Sequence, residues 1–197
     1  MKLFFASHNL DKKREIEYIV SSEKLTVLYI DDFPKYPEVE ETGSTLEENA
    51  VIKAVEGFNF TGLETFAEDT GLFVEAIGGE PGIYAARYAG ENATYSDNCV
   101  KLLEKLEKVP SEKRRAYFKT VVAFKTRESI KFFTGICEGY ISDKPAGSSG
   151  FGYDPIFIPD GYNKTFAELN KEVKNEISHR ARAVKEFSDF LKKSIGA

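Results

Sequence analysis

Hydrophobic and polar residues alternate along the chain in patterns that predict strands and helices in turn. Short apolar runs predict strands at residues 2–6 and 25–30, and an amphipathic run over residues 11–21 predicts a helix between them. A strand, a helix and a further strand in this order are typical of the start of an α/β sheet.

The rest of the chain predicts a mixture of helices and antiparallel strands. Thr45 followed by Glu48 forms a capping-box pattern, which predicts the start of a helix. Two β-rich runs separated by a short polar turn predict a long hairpin. The predicted elements are helices over 45–57, 96–107 and 176–194, strands at 64–68 and 72–76 around an acidic turn, hairpin strands at 116–125 and 129–140, and a strand at 155–158.

These elements predict one α/β domain over residues 1–197. Helix-linked strands together with a long hairpin indicate a mixed, strongly twisted sheet flanked by helices. We expect two lobes with an active-site groove between them, since ligand sites favour such clefts.

Composition narrows the class of protein. A hydrophobic content of 42% and a net charge of −5 are typical of a soluble globular protein and argue against nucleic acid as the main ligand. Cys99 and Cys137 fit neither a zinc spacing nor a disulfide framework. No run suggests a signal peptide or a membrane span, so we expect a cytoplasmic protein.

Acidic pairs are the first candidate for chemistry. Glu68 and Asp69 follow an apolar run and precede a Thr-Gly dipeptide. Glu40 and Glu41 precede a second Thr-Gly dipeptide. Adjacent carboxylates repel each other, and such pairs are typical of sites that hold a cation or move a proton. A helix or turn cap is the alternative interpretation of Glu68-Asp69.

Basic and amide side chains form a second candidate, for phosphate. The segment Ser7–Glu15 follows the first strand and enters a helix, where backbone N–H groups favour an anion. Lys12 lies in the first turn, and Lys53 lies one helical turn after Asn49. Solvated helix surfaces are the alternative interpretation of both segments.

Two later segments carry the features of a nucleoside site. Phe151 stands between glycines in Gly150–Pro155, which can present its ring as a stacking platform for a base. Lys174, His179 and Arg180 bring hydrogen-bond donors together just before an amphipathic helix. A ring that plugs the core and a structural histidine are the alternatives.

These motifs, taken in order, resemble the inosine triphosphate pyrophosphatase family across nearly the whole chain. The segments that carry the resemblance are Ser7-His8-Asn9…Lys12, Glu40–Gly43, Glu48-Asn49-Ala50…Lys53-Ala54, Ala67–Leu72, Pro81–Tyr88, Gly150–Pro155 and Ile177–Arg180. The resemblance implies a homodimeric, magnesium-dependent α/β enzyme. Its members hydrolyse ITP, dITP and XTP to the monophosphate and pyrophosphate, which removes these nucleotides before they enter nucleic acid.

The resemblance also implies roles for individual residues. It implies that Asp69 is the catalytic base and that Asp69 holds Mg²⁺ together with Glu40 or Glu41. The implied substrate-binding residues are Ser7, His8, Asn9, Leu10, Asp11 and Lys12 for the triphosphate, Lys53 and Thr70 beside it, Phe151, Gly152, Tyr153 and Asp154 for the nucleoside, and Lys174, His179 and Arg180 for the base. Glu68 stands where many members carry aspartate, so the choice among Glu40, Glu41 and Glu68 as metal ligands stays open.

Two other interpretations remain at this stage. The Maf-like nucleotide pyrophosphatases share the fold, but the complete Gly150–Pro155 and Ser178–Arg180 segments argue against them. An RNA-binding module could use Phe151 and the basic loops, but the acidic net charge opposes it.

Overall fold

The computed structural model describes residues 1–20 and 25–194, so residue 21, the last of the predicted first helix, lies outside the described residues. The α-helices of the described part are α1 Leu10–Ile19, α2 Leu46–Thr61, α3 Tyr95–Lys105, α4 Lys171–Ile177 and α5 His179–Ser194. Its strands are β1 Lys2–Phe5, β2 Thr26–Leu28, β3 Thr65–Val74, β4 Pro81–Gly82, β5 Arg115–Lys125, β6 Ile130–Ile141 and β7 Phe157–Pro159.

The strands form one mixed sheet, which confirms the predicted fold class. They pair in the order β2-β1-β3-β5-β6-β7, and β4 pairs with β3. β1 runs parallel to β2 and to β3, with Phe4 opposite Leu28 and Thr65, whereas β4 is antiparallel to β3 and β7 is antiparallel to β6.

The residues fall into two compact units, each with its own hydrophobic core. Unit 1 comprises Met1–Asp69, Thr120–Gly135 and Arg180–Ala197, and unit 2 comprises Thr70–Lys119 and Ile136–His179. The core of unit 1 includes Leu3, Phe5, Ile16, Phe66, Val122 and Phe187. The core of unit 2 includes Leu72, Leu102, Phe118, Ile156, Phe157 and Phe166.

Local capping explains where α2 begins and ends. The Thr45 side chain accepts a hydrogen bond from the Glu48 amide at 3.1 Å, as the capping pattern predicts. Gly62 ends the helix in the left-handed conformation with φ of 69°, which glycine adopts without strain. The helix therefore runs about one turn beyond the predicted end.

The prediction of two strands around an acidic turn is wrong. Residues Thr65–Val74 form one continuous strand, and Asp69 and Gly71 lie in its middle. A Cβ atom on Gly71 would lie 2.7 Å from the carbonyl oxygen of Gly82 in the paired strand. The glycine therefore permits the close approach of β4 rather than a turn.

The predicted helix over 176–194 is also wrong in its first residues. Ser178 has an extended backbone with ψ of 157°, and it separates α4 from α5. α4, which begins at Lys171, was not predicted.

Two strands also differ from the prediction. The second strand is shorter than predicted because the chain enters a 3₁₀ turn at Ile30–Asp32, and the last strand begins at Phe157 rather than at residue 155.

None of the helices in the described part is long and apolar enough to cross a membrane.

Candidate active site

Asp69 is the centre of a buried polar cluster in unit 1. Its Oδ1 atom accepts a hydrogen bond from Lys53 Nζ at 3.0 Å, and its Oδ2 atom accepts one from Asn49 Nδ2 at 3.3 Å. Lys53 Nζ also contacts Glu41 Oε1 at 2.8 Å. One ammonium group therefore draws two carboxylates together, and α2 supplies both Lys53 and Asn49 from the same face.

Burial and charge shift the pKa values in this cluster. Burial raises the pKa of the Asp69 carboxyl, and the attraction of Lys53 does not fully offset it. Burial lowers the pKa of Lys53, but the charges of Asp69 and Glu41 outweigh it, so the pKa is raised overall. Lys53 therefore stays charged, while Asp69 is a stronger proton acceptor than an exposed aspartate.

Glu68 takes part in a separate ion-pair network in unit 1. Arg180 Nε lies 2.8 and 2.9 Å from the two Glu68 carboxylate oxygens, and Arg180 Nη1 lies 2.6 Å from Glu15 Oε2. Lys12 Nζ lies 3.4 Å from Glu68 Oε1. Burial raises the pKa of Glu68, but Arg180 and Lys12 outweigh it and hold the pKa below its usual value.

The loop before α1 is held by its own side chains. Asn9 Oδ1 accepts hydrogen bonds from the amides of Asp11 and Lys12, each at 3.0 Å, and Ser7 Oγ accepts one from the Asn9 amide at 3.3 Å. Asn9 thus serves as the N-cap of α1, a role that the sequence analysis did not assign to it. The Asp11 carboxylate pairs with Arg14 at 3.2 Å.

His8 and Leu10 lie on the outer side of this loop. His8 Nε2 lies 3.2 Å from the Pro37 carbonyl oxygen, and the His8 ring stacks on Tyr36 with 5.8 Å between centroids. Leu10 is 59% exposed. His8 therefore links the loop before α1 to the loop that carries Glu41, and Glu40 in that loop is exposed.

The loop between Gly150 and Pro155 forms a second polar cluster, in unit 2. Asp154 is buried, and its Oδ2 atom accepts from the Phe151 amide at 2.8 Å and from Lys174 Nζ at 2.5 Å. The Lys174 ammonium also lies over the Phe151 ring, 4.8 Å from its centroid. Asp154 thus holds the loop together. Lys174 is fixed both by the Asp154 carboxylate and by the Phe151 ring.

Glycine is required at the start of this loop. Gly150 has φ of +75°, and a Cβ atom there would lie 1.9 Å from Asp154 Oδ2. Tyr153 is buried, and its hydroxyl donates to the Ala85 carbonyl oxygen at 2.8 Å. That hydroxyl therefore anchors the loop to the Pro81–Tyr88 segment.

His179 and Thr70 are two further predicted residues in unit 2. The buried His179 ring stacks on Phe118 with 4.4 Å between centroids and 16° between planes. Thr70 is partly buried and follows Asp69 directly in β3.

Among the described residues, no group of three or more His, Cys, Asp or Glu side chains is placed to hold a metal ion. Of the carboxylates predicted as metal ligands, Glu41 and Asp69 are brought together through Lys53.

Comparison with known proteins shows the family to which this chain belongs. A family model described as the Ham1 family matches residues 3–190. The chain belongs to the Ham1 family. This confirms the family prediction and sets aside the Maf-like alternative.

Relatives of this Ham1 family chain are similar over almost their whole length. A dITP/XTP pyrophosphatase from Thermoanaerobacter pseudethanolicus is 47% identical over 201 residues, which cover 99% of this chain and 98% of that protein. One from Geobacter sulfurreducens is 46% identical and covers 96% of each. The solved structure of the Ham1 protein from Staphylococcus aureus has a TM-score of 0.89 at 40% identity and covers 98% of this chain and 100% of that one.

The sequence analysis assigned no individual role to two residues of this candidate site, Asn49 and Glu15. Asn49 bridges Asp69 to the Gly43 amide, which donates to Asn49 Oδ1 at 2.8 Å. Its spacing from Lys53 was the available signal. Glu15 is buried with Arg180, and its signal was an acid beside Ile16 on the apolar side of α1.

Proposed function

We propose that this protein hydrolyses the noncanonical purine nucleoside triphosphates ITP, dITP and XTP to the monophosphate and pyrophosphate. The observation that carries the proposal is the buried Asp69 carboxylate, held by Lys53 and Asn49 beside Glu41. The names of the relatives as dITP/XTP pyrophosphatases support the same substrate class.

The proposed cofactor is Mg²⁺, held by Glu41 and Asp69. The Lys53 Nζ atom lies 2.8 Å from a Glu41 oxygen and 3.0 Å from an Asp69 oxygen, so the two carboxylates already share the positive charge of one ammonium group. Mg²⁺ is typically bound through one or two carboxylates together with substrate phosphates, so this donor set fits it. When bound, the ion offsets negative charge on the phosphate oxygens.

The proposed reaction is attack of a water molecule on the α-phosphorus of the triphosphate, which forms the monophosphate. Asp69 accepts the proton of the attacking water, the bond between the α- and β-phosphates breaks, and pyrophosphate leaves. The raised pKa of Asp69 suits a general base. Lys12 and Lys53 supply positive charge for the phosphates. The first amides of α1 already donate to Asn9 Oδ1, so they are not assigned to the phosphates.

The proposed base site lies in unit 2, around Phe151, Asp154, Lys174 and His179. Hypoxanthine and xanthine carry a keto oxygen at position six, where adenine carries an amino group. The Lys174 ammonium is a buried donor, so adenine would place a donor against a donor. A site built to pair one group discriminates strongly against a base that leaves its polar groups unpaired. Arg180 as a further base-reading residue stays a prediction.

We expect the purified protein with Mg²⁺ to release pyrophosphate from ITP and XTP at least about tenfold faster than from ATP, because adenine places its amino group against the buried Lys174 donor. We expect the same difference from GTP; guanine shares the keto oxygen at position six, so its rejection must come from its 2-amino group. Steady-state kcat/KM for the four nucleotides gives the comparison, and an assay with EDTA in place of Mg²⁺ is the control. Similar kcat/KM for all four nucleotides would contradict the proposed specificity. An RNA-binding module would release no pyrophosphate at all.

The proposed assembly is a two-fold symmetric homodimer. Phe132, Ile136 and Tyr140 alternate with buried residues along β6, and they are 48%, 40% and 38% exposed. Large apolar side chains on the outer side of a long hairpin strand are typical of an interface, and two-fold dimers are the commonest assembly.

At micromolar concentration, light scattering should therefore give about twice the monomer mass of 22.1 kDa. Ile136→Glu should shift the protein towards monomer, because it places a charge on the apolar strand face. Val100→Glu, on the exposed side of α3, is the matched control and should leave the mass unchanged. A monomer mass for the unsubstituted protein would rule out the dimer.

We further propose that the protein acts on free nucleotides in the cytoplasm rather than on nucleic acid. The net charge of −5 supports this, because it opposes binding to a polyanionic backbone.

A further inference from the structure

Tyr95 lies at the start of α3, beside the loop that carries Phe151. The two rings are 5.8 Å apart between centroids, with 46° between their planes. Tyr95 is 41% exposed, so a large part of its surface faces solvent. The exposed tyrosine and the loop phenylalanine therefore form a continuous aromatic surface in unit 2.

One face of α3 supports the loop at two points. Tyr95 and Cys99 are one helical turn apart and lie on the same face. The Cys99 thiol donates to the Gly152 carbonyl oxygen at 3.4 Å, and burial raises the pKa of that thiol to about 11, so it stays protonated as a donor. Cys99 therefore fixes the backbone of the loop, while Tyr95 contacts its ring.

The fold of α3 does not explain an aromatic residue at position 95. Thr94 and Asp97 already form the reciprocal cap that starts the helix. Cys99, Leu102 and Leu106 supply the core contacts of this segment. Tyrosine combines a flat apolar ring with a polar hydroxyl, and that combination suits a surface that binds a nucleoside.

We propose that Tyr95 is a nucleoside-binding residue, which extends the stacking surface of Phe151 and contacts the purine base of the substrate. The inference rests on the proposed function, because it takes the Phe151 loop as the base site. It adds a contact on α3 to the residues that the sequence analysis assigned.

A single tryptophan can test this contact directly. The sequence contains no tryptophan, so Tyr95→Trp introduces a unique fluorophore at the site. We expect IMP to quench its emission in a saturable way, because a base stacks on the indole, whereas pyrophosphate should not. Tyr162→Trp, at another exposed tyrosine of unit 2, should respond to neither ligand. An emission that does not change while IMP still inhibits the enzyme would overturn the inference.

Kinetics provides the second arm. Tyr95→Ala should raise the KM for ITP and the inhibition constant of IMP about tenfold, within the range for loss of one base–aromatic contact. The inhibition constant of pyrophosphate, which has no base, should not change, and Tyr95→Phe should retain near-normal values. Unchanged constants in Tyr95→Ala would refute the contact, and an equal rise for pyrophosphate would show that Tyr95 only supports the fold.

The unsubstituted protein separates the two levels of the proposal. If it releases no pyrophosphate from ITP, the proposed function fails whatever the variants do. If it is active and Tyr95→Ala matches it in every constant, the function stands and the role of Tyr95 fails. Tyr162→Ala controls for the loss of an exposed tyrosine and should behave as the unsubstituted protein.

Discussion

Asp69→Asn should lower kcat for ITP hydrolysis by at least about 10²-fold, the range for loss of a general base. Asparagine keeps the size of the side chain and can still meet Lys53 and Asn49, but it cannot accept the proton of the attacking water. It also removes one of the two carboxylates that we propose for Mg²⁺. The half-saturating concentration of Mg²⁺ should therefore rise as well.

The thermal midpoint of Asp69→Asn should stay the same or rise slightly. Burial raises the pKa of Asp69, so its ionised form costs free energy in the fold, and a neutral amide removes that cost. Glu56→Gln, at an exposed acid of α2, is the matched control and should keep both kcat and midpoint. Near-normal kcat in Asp69→Asn would show that another group activates the water.

Arg180→Met should destabilise the protein by about 3–5 kcal/mol, the range for removing one partner of a buried ion pair. Methionine fills much of the space but leaves Glu68 and Glu15 without their shared guanidinium. Lys12, at 3.4 Å, still faces Glu68. Urea unfolding measures the loss. Arg182→Met, at an exposed arginine of α5, should cost less than about 0.5 kcal/mol.

The pH dependence of this loss provides an independent check. In the unsubstituted protein the pKa of Glu68 is lowered, so its contribution to stability is present at neutral pH and lost as the pH falls. Without Arg180, burial should raise the pKa of Glu68, so the effect of pH on stability reverses. Protonation of Glu68 at low pH then removes the free-energy cost of a buried, unpaired carboxylate, and this cost returns as the pH rises. The penalty should be smaller at pH 5 than at pH 8. A stability within about 1 kcal/mol of the unsubstituted protein at pH 8 would contradict the network.

Local signals in the sequence predicted the elements that depend on local physics. The Thr45 cap, the helix over most of Tyr95–Lys105 and the β5–β6 hairpin follow from side chains that act within a few residues of each other. The break at Ser178 did not follow, because Ile177 and the apolar residues of α5 share one helical period across it.

The acidic segment shows where local interpretation fails. Acids followed by a glycine are typical of a turn, but Gly71 is needed because the Gly82 carbonyl oxygen approaches it from the paired strand. The reason for a glycine at position 71 therefore lies in β4 and not in the acidic segment itself. As a result Glu68 and Asp69 lie in the middle of a buried strand, and each needs its own cations.

The sequence alone determined the family, the mixed α/β sheet and most of the residue types of the site, because ordered motifs and periodic apolar residues are properties of the chain itself. The tertiary structure decided which side chains meet. It joined Asp69 to Lys53 and Asn49, Glu68 to Arg180 across 112 residues of sequence, and Tyr95 to Phe151. Such pairs depend on the packing of distant elements, and a buried charge is stable only where that packing brings its partner.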